Sequence, residues 1–324
     1  MSKTPDLTEA IIQSFQDVTP TVREFTLKPS QGGRYFDPGS HLQVQVLVHG
    51  KPQMRSYSLV GQPDGEHYRI AVKCLPQGRG GSLALWQHQV GDRLRISPPQ
   101  NHFSLDLRAP AYLLVAGGIG ITPLVLMAQT LLQRGAAVQL LYGARSESEL
   151  AYAPLLASTL DQGFKSFSAA RGETIDFTSA ISQLPQGGQL YICGPAPMLD
   201  VARRAWAAAS RPIADLRFET FGTSGRFAPE AFEVLIPRQN VQLRVSADET
   251  LLDALEMAGI QSLSNCRRGE CGLCAMDILA IDGEIDHRDV FLSDHEKHEN
   301  KRLCICVSRV IGSVTLDSAY RSEV

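Results

Sequence analysis

Three cysteines in the last third of the chain have a spacing typical of an iron–sulfur site. They follow the pattern Cys266-x4-Cys271-x2-Cys274, and two further cysteines, Cys304 and Cys306, come later. A plant-type 2Fe–2S cluster needs four thiolates, three from a tight loop with this spacing and one from a distant position. The pattern therefore predicts a one-electron redox centre near the C-terminus.

A structural zinc site is the main alternative interpretation of these cysteines. Zinc sites are usually built from paired short spacings, and only one C-x2-C is present here. Gly269 and Gly272 give the loop the backbone freedom that wrapping a cluster requires. The fourth ligand stays open, because Cys304 and Cys306 are two residues apart and would share one face of a strand.

A second group of residues is suited to a flavin. Arg55-Ser56-Tyr57-Ser58-Leu59 offers a cation for a phosphate, an aromatic ring and hydroxyl groups, and Arg55 and Tyr57 would share one face of a strand. In Gly78-Arg79-Gly80-Gly81-Ser82, the glycines would let backbone N–H groups approach a phosphate. An ordinary strand is the alternative for the first motif taken alone.

A third group predicts a nucleotide site. The run from Ala116 to Leu124 contains Gly117, Gly118 and Gly120 between an apolar run and a helical stretch, where a pyrophosphate could approach a helix N-terminus. It lacks a full G-x-G-x-x-G because Pro123 takes the last position, so a packing turn is the alternative. Tyr142-Gly143-Ala144-Arg145 and Cys193-Gly194-Pro195 end two further strands, where ligands of open α/β sheets bind.

The elements that must position these motifs change in character twice along the chain. Up to about Leu107 short strands with period-two patterns and Pro/Gly turns predict a small antiparallel barrel. From Pro110 buried apolar strands alternate with helices, which predicts a parallel α/β sheet. From Phe232 a hairpin and a helix over 251–258 precede the cysteine loop, after a linker at Gly222-Thr223-Ser224-Gly225.

Composition and charge exclude some functions and suggest a partner. The 324 residues carry a net charge of −3, which does not favour nucleic acid as a partner. From Phe232 onward 10 Lys and Arg stand against 16 Asp and Glu, whereas the preceding residues carry 21 against 18. The acidic C-terminal part could meet a basic surface, or its charges could only solvate it.

The N-terminal sequence lacks the apolar stretch of a secretory signal. The longest apolar run, Ala111–Met127, is broken by three glycines and a proline and is shorter than the ~18 residues of a membrane span. A cytoplasmic location and no membrane partner are expected. The His- and Asp-rich segment from Asp286 to Glu299 is expected to be a charged, solvated loop rather than a second metal site.

The cysteine loop, Asp286-His287-Arg288-Asp289 and Cys306-Val307-Ser308-Arg309 together resemble the phthalate dioxygenase reductase family over essentially the whole chain. The resemblance implies three domains: a β-barrel at 1–107 for FMN, an α/β domain at 108–225 for NAD, and a ferredoxin (β-grasp) domain at 232–324. It implies cluster ligands at Cys266, Cys271, Cys274 and Cys306, with Cys304 a neighbour. The implied flavin residues are Arg55, Ser56, Tyr57, Ser58, Gly80, Gly81 and Ser82, with Lys73 and Phe221 as weaker candidates. The implied nucleotide residues are Gly118, Gly120, Thr122, Pro123, Arg145, Cys193, Gly194 and Pro195, with Cys193 near the hydride path.

The function expected from these domains is electron transfer by the cofactors, without an acid–base triad. The chain would take hydride from NADH to FMN and pass single electrons through the 2Fe–2S cluster to a separate Rieske-type oxygenase, one acting on an aromatic carboxylate. NADH is usual in the family, and NADPH stays open because Arg145 or Arg171 could meet a 2′-phosphate. The alternatives are a stand-alone NAD(P)H diaphorase or flavin reductase and a zinc-dependent interaction protein.

Overall fold

The computed structural model describes residues 7–76, 78–221 and 225–317. They form two compact units that divide after Phe221. Residues 222–224 of the expected linker lie outside the described residues, as does the start of the N-terminal segment. Among the helices that are described, none is long and apolar enough to cross a membrane.

The first part of the larger unit is an antiparallel sheet that carries the flavin motif. The strand order is β4-β3-β6-β1-β2-β5, and β7 pairs with β3. An additional antiparallel bridge between Leu59 and Ile70 joins the chain after β4 to β5, so the sheet curls round on itself. The elements are β1 (Thr8–Thr19), β2 (Val22–Pro29), β3 (Ser40–Val48), β4 (Lys51–Ser58), β5 (Tyr68–Lys73), α1 (Gly81–Trp86), β6 (Arg93–Ile96) and β7 (Gln100–Asn101).

The second part of this unit is a parallel sheet with the order β10-β9-β8-β11-β12. Its central strand is buried at every position because helices cover both faces of such a sheet. Pro123 lies in the first turn of the helix that follows the central strand, where its missing N–H costs nothing. The elements are β8 (Ala111–Gly117), α2 (Thr122–Gln133), β9 (Ala137–Ala144), α3 (Ala153–Leu160), β10 (Phe164–Ser168), α4 (Phe177–Gln183), β11 (Gln189–Cys193), α5 (Ala196–Ala208) and β12 (Leu216–Glu219).

These two parts share apolar and polar contacts within one unit. Val22, Val60 and Ala71 of the barrel belong to the same buried cluster as the central strand of the parallel sheet. The Tyr152 hydroxyl donates to Glu24 at 2.6 Å across the same boundary. The flavin and nucleotide motifs are therefore carried by one packed body.

The smaller unit is a mixed sheet with the order β14-β13-β17-β15-β16, in which only β13 and β17 run parallel. Its helices begin with capping boxes, Thr250 with Asp253 and Ser293 with Glu296, which satisfy N–H groups at the helix start. The elements are β13 (Phe232–Ile236), β14 (Val241–Val245), α6 (Leu251–Met257), β15 (Ala275–Asp286), α7 (Asp294–Glu299), β16 (Arg302–Cys304) and β17 (Arg309–Asp317).

The expected three-domain fold is confirmed, with two local corrections. The first region contains the helix α1 as well as strands, because the glycine turn before it opens directly into a helical turn. The strand β16 ends at Cys304, so Cys304 and Cys306 do not lie in one strand. The N–H groups of Val307 and Ser308 both donate to the Cys304 carbonyl and turn the chain there.

Candidate functional site

The loop after α6 folds around the Cys266 sulfur. The backbone N–H groups of Arg268, Glu270 and Cys271 each donate to Cys266 Sγ at 3.4 Å. Such donors stabilise a thiolate and would tune the potential of a cluster bound through it. The loop therefore has the backbone geometry that a sulfur ligand needs.

Hydrogen bonds between thiols join the five cysteines of this region. The thiols of Cys271 and Cys306 donate toward Cys266 and lower its pKa, while those of Cys304 and Cys306 lower the pKa of Cys274 to about 4. The same contacts raise the pKa of the three donors, because thiols this close cannot all ionise without a cation to share. Cys306 is thus close to both Cys266 and Cys274, whereas the Cys304 thiol meets only Cys274 among these contacts.

Four buried or half-buried thiols, ready to lose protons to a positive centre, fit a 2Fe–2S cluster. Such a cluster takes four cysteine thiolates. Within the described ranges, no group of three or more Cys, His, Asp or Glu is arranged to hold a single metal ion. Seven free cysteines and no disulfide occur in the chain as described.

Two glycines let the loop close on itself. Gly269 has φ +74° and Gly272 has φ +72°, a region in which side chains are strained. A Cβ at Gly269 would lie 2.6 Å from Val307 Cγ2 and 2.8 Å from the Asp289 Cα, and one at Gly272 would lie 2.3 Å from the Phe291 ring. The backbone therefore passes where only glycine fits.

The segment that packs against the cysteine loop contains buried charged residues and is not a solvated loop. Asp286, Arg288 and Asp289 are almost fully buried, so the expectation of solvation is wrong for them, while Asp294 and His295 are exposed as expected. Arg288 Nε donates to Asp286 at 2.8 Å, which compensates both charges.

Ser308 links this layer to the last cysteine. Its hydroxyl donates to Asp289 Oδ1 at 3.1 Å and accepts from the Arg288 N–H at 3.1 Å. The other Asp289 oxygen accepts from the Leu292 N–H at 2.8 Å. The segment that follows Cys306 is thereby held against the segment that backs the loop.

The flavin motif lies on β4 beside the glycine turn. Arg55 and Tyr57 pair with Val44 and Leu42 of β3 and so share one face, as expected. The Arg55 side chain lies directly on Gly81, where a Cβ would be 2.6 Å from Arg55 Nε. A guanidinium group and the glycine turn thus come together although they are far apart in sequence.

Four hydroxyl-bearing residues belong to the two flavin motifs, and two of them, Ser56 and Ser58, alternate with Arg55 and Tyr57 along β4. Ser58 Oγ is buried with no hydrogen-bond partner among the described residues, an orphan that a bound ligand would satisfy. Burial raises the pKa of Tyr57 to about 12, so its hydroxyl stays protonated at neutral pH. Ser82 Oγ accepts from the Leu75 N–H at 3.1 Å, and Ser56 is half-buried in the next position of β4. These residues fit a polar ligand with a phosphate.

The two weaker flavin candidates have other surroundings. Lys73 donates to Glu149 Oε2 at 3.0 Å, an ion pair between the barrel and the parallel sheet. Phe221 is 38% exposed and follows the buried Glu219 and Thr220 at the end of β12. Lys73 is therefore engaged in joining the two parts of the unit.

The nucleotide motifs meet at the carboxyl edge of the parallel sheet. A Cβ at Gly120 would lie 2.1 Å from the Cys193 carbonyl oxygen, and one at Gly117 would lie 2.6 Å from Pro195 Cδ. Gly118 has φ +55° with open space around it, and Gly194 packs on Gly117. The turn after β8 and the end of β11 thus form one surface of small residues against which a pyrophosphate can lie. We call this surface the nucleotide floor.

The remaining residues of this site flank that floor. Thr122 is buried at the start of α2 and donates to the Ile119 carbonyl at 3.0 Å, beside Pro123. Arg145 is exposed after β9, and its carbonyl accepts from the Ala170 N–H at 2.8 Å. Arg171, at the end of the neighbouring strand, is paired with carboxylates.

Comparison with known proteins agrees with this arrangement. Three family models match in order: an oxidoreductase FAD-binding domain over residues 9–105, an oxidoreductase NAD-binding domain over 114–204, and a 2Fe-2S iron-sulfur cluster binding domain over 234–310. The solved structure of phthalate dioxygenase reductase, described as modular for electron transfer from pyridine nucleotides to [2Fe-2S], superposes with a TM-score of 0.83. It is 31% identical, with 96% of this chain and 98% of that chain covered. The chain belongs to the phthalate dioxygenase reductase family.

Two curated relatives are named as subunits of other enzymes. The heme-dependent oxidative N-demethylase beta subunit of Ectopseudomonas mendocina is 38% identical, over 96% of this chain and 98% of its own length. The phenoxybenzoate dioxygenase subunit beta of Ectopseudomonas oleovorans is 37% identical, over 84% of each. As a family member, this chain is an oxidoreductase with flavin, NAD and 2Fe–2S domains.

Sequence reasoning missed the acidic partners of Arg171. Glu147 and Glu173 stand on different loops, and no local motif marks them. It also missed the burial of Asp286 and Asp289, for which the only signal was their place between the third cysteine and the last one.

Proposed function

We propose that this chain is the reductase component of an oxygenase system, taking hydride from NADH and passing single electrons to a separate oxygenase. The domains would span residues 1–107, 108–225 and 232–324, for FMN, NAD and the cluster. The observation that carries the proposal is the convergence of the cysteine thiols in a chain that also holds a flavin motif and a nucleotide floor.

When bound, a flavin accepts a hydride and can release its electrons singly, which a nicotinamide cannot do, and a 2Fe–2S cluster carries one electron at a time. Arg55 and the N–H groups near Gly80 and Gly81 would hold the flavin phosphate, and Ser58 would bond the flavin. The ligands of the cluster would be Cys266, Cys271, Cys274 and Cys306.

The protein residues bind and orient, and none needs to transfer a proton. Gly118 and Gly120 would let the pyrophosphate of NADH approach the start of α2, where Thr122 and Pro123 lie. Arg145 would pair with the negative charge of the pyrophosphate. Cys193, Gly194 and Pro195 would form the wall beside the nicotinamide. Ser56, Tyr57 and Ser82 are the remaining residues proposed to surround the flavin. Phe221, which follows β12, is a weaker candidate.

We propose an oxygenase as the electron acceptor because the relatives are named as parts of such systems. A Rieske-type oxygenase acting on an aromatic carboxylate fits the phenoxybenzoate dioxygenase subunit, while the N-demethylase relative is named as heme-dependent. The acidic balance after Phe232 favours docking to a basic surface, so electron transfer to the oxygenase should slow as salt increases. A rate that is flat in salt would contradict this mode of docking.

The experiment that tests the function compares the wild type with Cys271→Ser. The purified wild type should contain flavin, iron and sulfide, and NADH should reduce both centres under anaerobic conditions. The variant should keep NADH-dependent reduction of ferricyanide but lose reduction of the oxygenase. A variant that still reduces the oxygenase would contradict the route through the cluster. The alternative, a stand-alone diaphorase or flavin reductase with an unused ferredoxin domain, would keep its full physiological turnover in this variant.

The cellular site of the reaction is part of the proposal. All seven cysteines are free thiols in the structure, and the cytoplasm keeps thiols reduced. We place the protein in the cytoplasm, and a fractionation in which it follows the periplasmic proteins would contradict this.

A further inference from the structure

The loops after β9 and β10 hold one arginine between two carboxylates. Arg171 Nη1 donates to Glu147 Oε1, and its Nη2 donates to Glu173 Oε2 at 3.1 Å. The same Glu173 oxygen accepts from the backbone N–H of the buried Ser168 at 2.8 Å. We call Glu147, Arg171 and Glu173 the edge triad.

The triad is held in place but remains accessible. Hydrogen bonds from the Ser168 N–H and from Arg171 lower the pKa of Glu173, so this carboxylate is ionised at neutral pH. The Glu173 N–H donates to the Ser168 carbonyl at 3.1 Å, which closes the loop on the end of β10. Half of the Arg171 side chain is exposed, so a ligand can reach it.

The strand order places the triad where one half of a dinucleotide must lie. The glycine turn follows the central strand β8, and Cys193 ends β11 on one side of it. With the pyrophosphate at the turn and the nicotinamide on the Cys193 side, the adenosine half extends over β9 and β10. These strand ends lie about 5 and 10 Å from the turn, within reach of an adenosine ribose.

The charge of the triad discriminates between the two nicotinamide dinucleotides. NADPH differs from NADH by a phosphate on the adenosine ribose, which an arginine usually binds, whereas a carboxylate usually accepts the free 2′-hydroxyl of NADH. Two carboxylates and one guanidinium leave a net charge of −1, and both terminal nitrogens of Arg171 already donate to a carboxylate. A 2′-phosphate would have to displace a carboxylate from Arg171 and would be repelled by both.

We propose that Glu147 and Glu173 make this reductase selective for NADH by holding Arg171 away from a 2′-phosphate and by offering an acceptor to the ribose. The inference rests on the proposed function, because it names the electron donor of that reaction. If the inference holds, Arg171 is not available to bind the 2′-phosphate of NADPH, although the sequence alone suggested this role for it.

The test is a mutant cycle on the full holoenzyme, with ferricyanide as electron acceptor. Glu147→Gln with Glu173→Gln should raise kcat/KM for NADPH by about tenfold or more, since a freed arginine gains a charge-assisted bond to phosphate. The value for NADH should fall modestly. Adding Arg171→Ala to this double variant should abolish the gain, while Arg171→Ala alone should leave NADPH turnover as poor as before.

The control is Glu233→Gln, which removes one carboxylate charge from another exposed pair with an arginine, Arg244. It should leave the ratio of NADPH to NADH turnover unchanged. An unchanged ratio in the double variant would overturn the inference alone. A wild type that prefers NADPH would overturn the inference and the proposed donor, NADH, but not the proposed electron transfer to an oxygenase. A wild type that oxidises neither dinucleotide would overturn the proposed function itself.

Discussion

Replacing Gly269 by alanine tests whether close packing shapes the cluster loop. The residue has φ +74°, and an added Cβ would lie 2.6 Å from Val307 Cγ2 and 2.8 Å from the Asp289 Cα. Gly259, after α6 in the same unit, has φ +77° but open space around it. Gly259→Ala is therefore a control that carries the same backbone strain without the clash.

The two substitutions differ by the clash alone. A left-handed conformation costs a side chain about 1 kcal/mol, which both variants should lose. The contacts at Gly269 force the backbone near Asp289 to shift, and overpacking of this kind costs a further 1–3 kcal/mol, roughly. Gly269→Ala should therefore lose about 2–4 kcal/mol of unfolding free energy in total.

The assay is thermal denaturation of the holoenzyme, followed by far-ultraviolet dichroism and by loss of visible absorbance, together with iron analysis. In a domain of this size 1 kcal/mol corresponds to about 4–8 °C in Tm. Gly259→Ala should lower the midpoint by roughly this amount and keep its iron, whereas Gly269→Ala should lower it by about twice as much or more and lose iron. Equal midpoints and equal iron contents in the two variants would refute the reasoning.

Four further substitutions test the cluster ligands, the flavin motif and a surface ion pair. Cys306→Ser should lose most of the iron and sulfide, whereas Cys304→Ser should keep both, and the reverse result would make Cys304 the fourth ligand. Gly81→Ala should displace the arginine of the flavin motif and lower the flavin content after dialysis, an idea that full flavin retention would disprove. Asp106→Asn should cost about 1 kcal/mol or less at pH 7, because Arg108 is largely exposed. The Arg108 hydrogen bond lowers the Asp106 pKa, so this stability is present above the unfolded pKa of about 3.9 and is lost as the pH falls below it. Urea denaturation should show the difference shrinking below pH 4, and a constant difference would contradict the sign.

Local patterns in the sequence were enough to predict much of the fold. The short strands before Leu107 and the buried apolar strands after Pro110 are present as expected, since apolar runs between turn residues mark short strands. The helix α6 was expected over 251–258 and ends one residue earlier, at Met257. The motif residues were recognisable because phosphate and cluster binding need particular residue types at fixed spacings.

Tertiary structure decided what depends on distant parts of the chain. Cys304 and Cys306 are equivalent by spacing, and only the turn after β16 sets Cys306 close to both Cys266 and Cys274. The burial of Asp286 and its bond from the Arg226 N–H, 60 residues away, follow from the packing of the sheet. A charged residue type by itself predicts exposure, because burial is favourable only where a partner has been brought to it.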